Sequence, residues 1–162
     1  MALRAPLVIG SDGLPQQLQS GDTVNVSAAN YSSRSVTNGE GATAIVIGMA
    51  VYASAADTVK RAQANAKATS KLVGLGLDAS VAAAGVGNII TTGTLVATTV
   101  QWDAVAGTTG GLAFNTTYFL DPTTAGKITA TAPTTVGQCV VVVGMALSST
   151  ELELQFSQPI LL

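Results

Sequence analysis

At 162 residues and a formal net charge of −2, with 10% of side chains charged against about 25% in an ordinary soluble domain, the chain lacks the usual ionic surface. The absence of histidine and the single cysteine exclude a Ser-His-Asp hydrolase and an ordinary zinc site. The slightly acidic balance offers no attraction to phosphate backbones or anionic lipid, so neither nucleic acid nor a membrane surface is an expected partner.

Small and β-branched residues set the class. The 26 Ala, 21 Thr and 18 Val, against seven aromatics, suit pleated, half-buried surfaces and predict a mostly β fold. The segment Ala5-Pro6-Leu7-Val8-Ile9-Gly10 reads as a short strand or extended arm, closed by the turn residues Ser11-Asp12-Gly13-Leu14-Pro15. Ser20-Gly21-Asp22 is a second turn, and Thr23-Val24-Asn25-Val26 alternates as a strand does. Residues 27–42 are rich in Ser, Asn and Gly and read as a loop or linker. Three parts follow: an N-terminal arm with short strands over 1–26, a loop or linker over 27–42, and a β-barrel or sandwich domain over 43–162.

The third part reads as an imperfect duplication of units 43–100 and 112–157. In the first, Gly48-Met49-Ala50-Val51-Tyr52 leads through the turn Ala55-Ala56-Asp57-Thr58 into Val59-Lys60-Arg61-Ala62, and after an excursion the chain returns as Val73-Gly74-Leu75-Gly76-Leu77. In the second, Thr117-Tyr118-Phe119-Leu120 precedes the turn Asp121-Pro122-Thr123-Thr124-Ala125-Gly126, then Lys127-Ile128-Thr129-Ala130, an excursion, and Val143-Gly144-Met145-Ala146-Leu147. An alternating strand follows each return, Asn88 to Thr99 and Glu151 to Phe156, and short strands at turn-marked intervals predict a small barrel or sandwich. The single helix candidate is Ala62 to Ser70, favoured by alanine content and opposed by its every-second-residue spacing.

Chemistry-bearing patterns are scarce. Cys139, within Cys139-Val140-Val141-Val142-Val143, reads as a small core hydrophobe, since no histidine is present to activate a thiolate. Glu151 and Glu153 share one strand face opposite Leu152 and Leu154, the pattern of a solvated face over a core face. Asp57, Asp78, Asp103 and Asp121 lie near turns without a calcium-loop spacing and read as turn caps. Gly74-Leu75-Gly76 lacks the third glycine and helix of a dinucleotide fingerprint. The cluster Lys60, Arg61, Lys67 and Lys71 has no aromatics beside it for base stacking and reads as a solvated rim. No catalytic residue, metal site or cofactor is expected. The uncharged run Ala79 to Trp102 is too polar for a membrane span, and the apolar stretch ending at Gly10 is short for a secretory signal, so synthesis in a cytoplasm is expected.

So weakly charged a surface predicts self-association, which hides apolar patches that a monomer would expose. The opening from Ala5 to Asp22, the phrases Lys71-Leu72-Val73-Gly74-Leu75 and Tyr118-Phe119-Leu120-Asp121, and the closing Pro159-Ile160-Leu161-Leu162 resemble tailed-bacteriophage virion proteins, most closely capsid decoration (cement) proteins. The resemblance implies a β-rich homotrimer at local threefold positions on the outer surface of the assembled head, with the major capsid protein as partner and the virion as location. It transfers no site residue. The expected shell contact is the arm Ala5, Pro6, Leu7, Val8, Ile9 and Gly10, because an extended peptide adds readily to an exposed sheet edge. The alternative is a collar, tail fibre or receptor-binding adhesin module, which aromatic platforms would favour, and for these Trp102, Tyr118 and Phe119 are few.

Overall fold

The computed structural model describes residues 7–9, 15–17 and 30–162. Strands β1 (Leu7–Ile9) and β2 (Pro15–Gln17) form an antiparallel pair of their own. Strand β3 (Tyr31–Asn38) precedes the first unit, which comprises β4 (Ile45–Val46), β5 (Ala50–Ala55), β6 (Thr58–Arg61), β7 (Leu72–Gly76), β8 (Ser80–Val81) and β9 (Val86–Val96). Helix α1 (Thr99–Ala106) leads to β10 (Thr117–Leu120), β11 (Ile128–Thr129), β12 (Cys139–Val140), β13 (Val142–Ala146), β14 (Glu151–Leu154) and β15 (Ile160–Leu161).

Nine of these strands hydrogen-bond in the order β11-β10-β13-β14-β9-β3-β6-β5-β7, and β7 pairs back onto β9. The sheet thereby closes on itself as a five-stranded barrel of β9, β3, β6, β5 and β7, with the second unit continuing from β9 as an open extension. Closure leaves those five strands without a free edge along the paired stretches.

The two units repeat one plan. In the first, β5 lies between its hairpin partner β6 and the return strand β7, which pairs with β9; in the second, β10 lies between β11 and β13, which pairs with β14. Both return strands slip register at the equivalent point. Val51 faces Gly74 and Tyr52 faces Leu72, leaving Val73 over, just as Tyr118 faces Gly144 and Phe119 faces Val142, leaving Val143 over. The glycine beside each bulge admits a neighbouring backbone: a Cβ at Gly74 would sit 2.7 Å from the Ile90 carbonyl oxygen, and one at Gly144 would meet that of Glu153. That close approach accounts for Gly74, whose glycine partner Gly76 likewise abuts the Val46 carbonyl.

The reading of residues 27–42 as a loop or linker is corrected over most of its length. Residues 31–38 are β3, antiparallel to β9 and parallel to β6 at Thr37 and Asn38. The stretch is polar because its first five residues are exposed, and it becomes a strand because two neighbours satisfy its backbone. Buried Asn38 fastens its end: the side-chain amide donates to the carbonyls of Thr43 at 3.0 Å and Val81 at 2.9 Å, and its oxygen accepts from the Glu40 amide. The strand expected at Thr23–Val26 lies outside the described residues.

Alternation along the barrel strands divides the interior in two. Val36, Val51, Val59 and Ile89, from four barrel strands, pack with Ile45 and Val73 inside the barrel. Ala50 and Ile90, next to Val51 and Ile89, face the other way, and with Leu75, which pairs with both, they enter a larger core shared with Tyr118, Leu120, Val143 and Leu152 of the second unit. Cys139 is fully buried in that core as a free thiol, and Leu152 is fully buried while Leu154 is half-buried. Backbone bonds stitch the units directly, Ala50 and Gly126 among them, Gly126 in turn donating to Ala62.

The helix candidate Ala62–Ser70 is a series of turns, held by the Thr69 and Ser70 hydroxyls donating to the carbonyls of Gln63 and Ala66. The helix is instead α1, where the alternating reading of Asn88–Thr99 overran the end of β9. Thr98 and Gln101 form a reciprocal capping box and left-handed Gly107 ends the helix. Its buried residues Trp102 and Val105, three apart, plug the larger core, and the indole donates to the Thr150 carbonyl at 3.0 Å. No helix among the described residues is long and apolar enough to cross a membrane. The face assignment on β14 predicts that Leu152→Ala lowers stability by about 2–5 kcal/mol, whereas Glu153→Lys changes it by under about 0.5 kcal/mol; urea unfolding of both variants checks this.

Candidate functional site

Of the expected shell contacts, Leu7, Val8 and Ile9 form β1, in register with Gln17, Gln16 and Pro15. Ala5, Pro6 and Gly10 lie outside the described residues. The arm strand thus has a partner in β2, and β1 pairs with no strand of the nine-stranded sheet among the described residues.

Each turn aspartate is engaged locally. One Asp121 carboxylate oxygen accepts from the amides of Thr123 at 2.6 Å and Thr124 at 2.8 Å, an Asx turn closing the β10–β11 hairpin. Asp78 accepts the Asn88 amide at 2.7 Å, and Asp57, in the left-handed region at φ 50°, pairs with Arg34 of the neighbouring strand β3. Among the described residues no three Asp, Glu or Cys side chains converge as metal ligands do. The basic cluster disperses: the Arg61 backbone and side chain both bond to Glu40, while Lys60, Lys67 and Lys71 stand exposed.

Asp103 does more than cap. From α1 its carboxylate accepts the amides of Gly111 at 2.7 Å and Gly110 at 3.0 Å and the Thr108 hydroxyl at 3.0 Å. The Gly111 amide above all, with the Gly110 amide and the Thr108 hydroxyl assisting against partial desolvation, holds its carboxyl below the ordinary aspartate value. The same loop is tied further along. Leu112 donates to Ser149, Ala113 to the hydroxyl of buried Tyr118 at 3.0 Å, and Asn115, at φ 56°, to Ala146. Between these anchors Phe114 projects with 76% of its surface exposed, the most exposed of the aromatic side chains.

The second feature is the open end of the barrel. A cavity of about 250 Å³ opens there, lined from all five barrel strands. Buried Val36, Val59 and Ile89 form its floor, exposed Ala53 and Ala55 its wall, and the Arg34–Asp57 pair stands at its rim. Arg34 was unreadable as a site residue because it sits in the polar stretch that resembles a linker. Phe114 left one signal, a lone aromatic between Gly110-Gly111 and Asn115-Thr116.

Because the Asp103 carboxyl is depressed in the fold, its contribution to stability is complete above its unfolded pKa and disappears as the pH falls through the folded value. Asp103→Asn is therefore expected to lower Tm at pH 7 and to lose that difference as the pH drops below about 4; melting curves across this range check it.

No protein-family model and no curated protein matches the chain.

Proposed function

We propose that the chain is a non-catalytic virion structural protein that decorates the assembled head of a tailed bacteriophage, binding the major capsid protein at the outer surface and stabilising the shell. The observation that carries this reading is the character of the described surface: large apolar side chains such as Val136 (87% exposed), Phe114 and Val86 stand out on a chain with only 10% charged residues. Such a surface suits coverage by other protein, whether further copies of the chain or the shell. The resemblance of the opening and closing segments to decoration proteins supplies the choice of partner.

In this reading each copy of a homotrimer presents its arm, Ala5 to Gly10, to a capsid edge. The pairing of β1 with β2 keeps Leu7–Ile9 extended, and a two-stranded ribbon still offers an outer edge for a third strand. Three arms on one body turn modest contacts into firm attachment through effective concentration. Binding the assembled shell in preference to its free subunits stabilises the shell by mass action. The adhesin alternative draws no support from the aromatics named for it, since Trp102 and Tyr118 are fully buried and Phe119 is half-buried.

Deletion of residues 1–10 is expected to leave the melting temperature of the nine-stranded body unchanged and to abolish co-sedimentation with undecorated heads. A folded truncation that sediments as well as the full chain places attachment elsewhere on the body.

A further inference from the structure

We propose that the open barrel end is a socket for the Phe114 side chain of a second copy of this chain. The inference rests on the self-associating part of the reading above and names its contact, without drawing on shell attachment.

Size argues first. A cavity of about 150 Å³ is enough to hold a benzene ring, so a volume of about 250 Å³ admits one phenyl group. It is smaller than the roughly 300–1,000 Å³ of ordinary small-molecule sites. The walls match that occupant: methyl groups from Val36, Val59, Ile89, Ala53 and Ala55 surround the space. The Arg34 guanidinium at the rim is a cation suited to the face of an aromatic ring.

Rigidity argues second. An aromatic left in water on a mobile loop would surrender ordering entropy on binding, but the Phe114 loop is already fixed by Asp103, Tyr118, Ser149 and Ala146. Three of its residues, Gly110, Gly111 and Asn115, take positive φ, a conformation retained because those bonds over-determine it. A preorganised aromatic entering an apolar pocket is the usual form of an interface hot spot.

The two halves of the contact sit on different units of the fold, the knob between α1 and β10 and the socket in the barrel. Reciprocal insertion by two copies would close a dimer, and insertion of each copy into the next would build a ring or an open chain.

The test is light scattering coupled to gel filtration on the full chain, Phe114→Ala, Ala53→Phe and an equimolar mixture of the two variants. Both positions are exposed, and matched melting curves confirm that each variant folds. The full chain is expected to run as a multimer at micromolar concentration, and either variant to self-associate about thirtyfold or more weakly. The mixture retains one intact socket, on Phe114→Ala, and one intact knob, on Ala53→Phe, so it is expected to form a two-chain species and nothing larger. A monomeric full chain, a folded Phe114→Ala that keeps the full-chain mass, or a mixture no more associated than its components overturns the proposal. Shells are absent from this measurement, so its failure is distinct from failure of the arm truncation to lose shell binding.

Discussion

Strand β9 shares its backbone among three partners, and that division organises the molecule. Over Val86 to Gly93 it pairs with β3, and at Ile89 and Ile90 with β7, which closes the barrel; over Thr94 to Val96 it pairs with β14, which carries the second unit. The change of partner falls beside Gly93, at φ 99°, where an added Cβ would run into the Asn30 carbonyl and the Tyr31 backbone. A residue with a side chain there would push the start of β3 away from β9 at the end of their ladder. One strand thus serves as wall of a closed barrel and as root of an open sheet.

That shared wall explains why the repeated strand plan does not produce two similar halves. Each unit supplies a hairpin, a bulged return strand and a following strand, but the first also has β3 to bridge β9 and β6. The second unit has β9 in the neighbouring position and stays open. Its apolar face is covered by the outer wall of the barrel and by α1, so the larger core is built from both units at once. Asymmetry between related units places a hollow barrel end on one and a rigid, exposed loop on the other.

The polar side chains are spent on holding loops. Asp103, Asp121, Asp78 and Asn38 each satisfy backbone amides or carbonyls that no strand ladder reaches. Few charges remain for the surface, and the apolar side chains left there are presented on fixed backbone. Loop fixation and surface chemistry together make the molecule suited to contacts with other protein.

How far the sequence determined this can be followed element by element. The β class came from Val, Thr and Ala abundance, and both hairpins from turn residues at Asp57 and Asp121, because those signals are local. Burial of Cys139 and Leu152 was legible for the same reason, each sitting in an apolar run or a period-two pattern. Helix α1 carried its own marks in Thr98, Gln101 and Gly107, but with only Trp102 and Val105 turned inward its periodicity was too brief to stand out beside the alternation of β9. Strand β3 was beyond local reading, since Ser, Asn and Arg do not favour strands and its conformation is imposed by β9 and β6, partners that lie more than 15 residues away. Barrel closure, the socket bounded by Arg34 and Asp57, and the fixed projection of Phe114 were likewise decided by tertiary structure, because each depends on backbone bonds between segments that composition and spacing do not bring together.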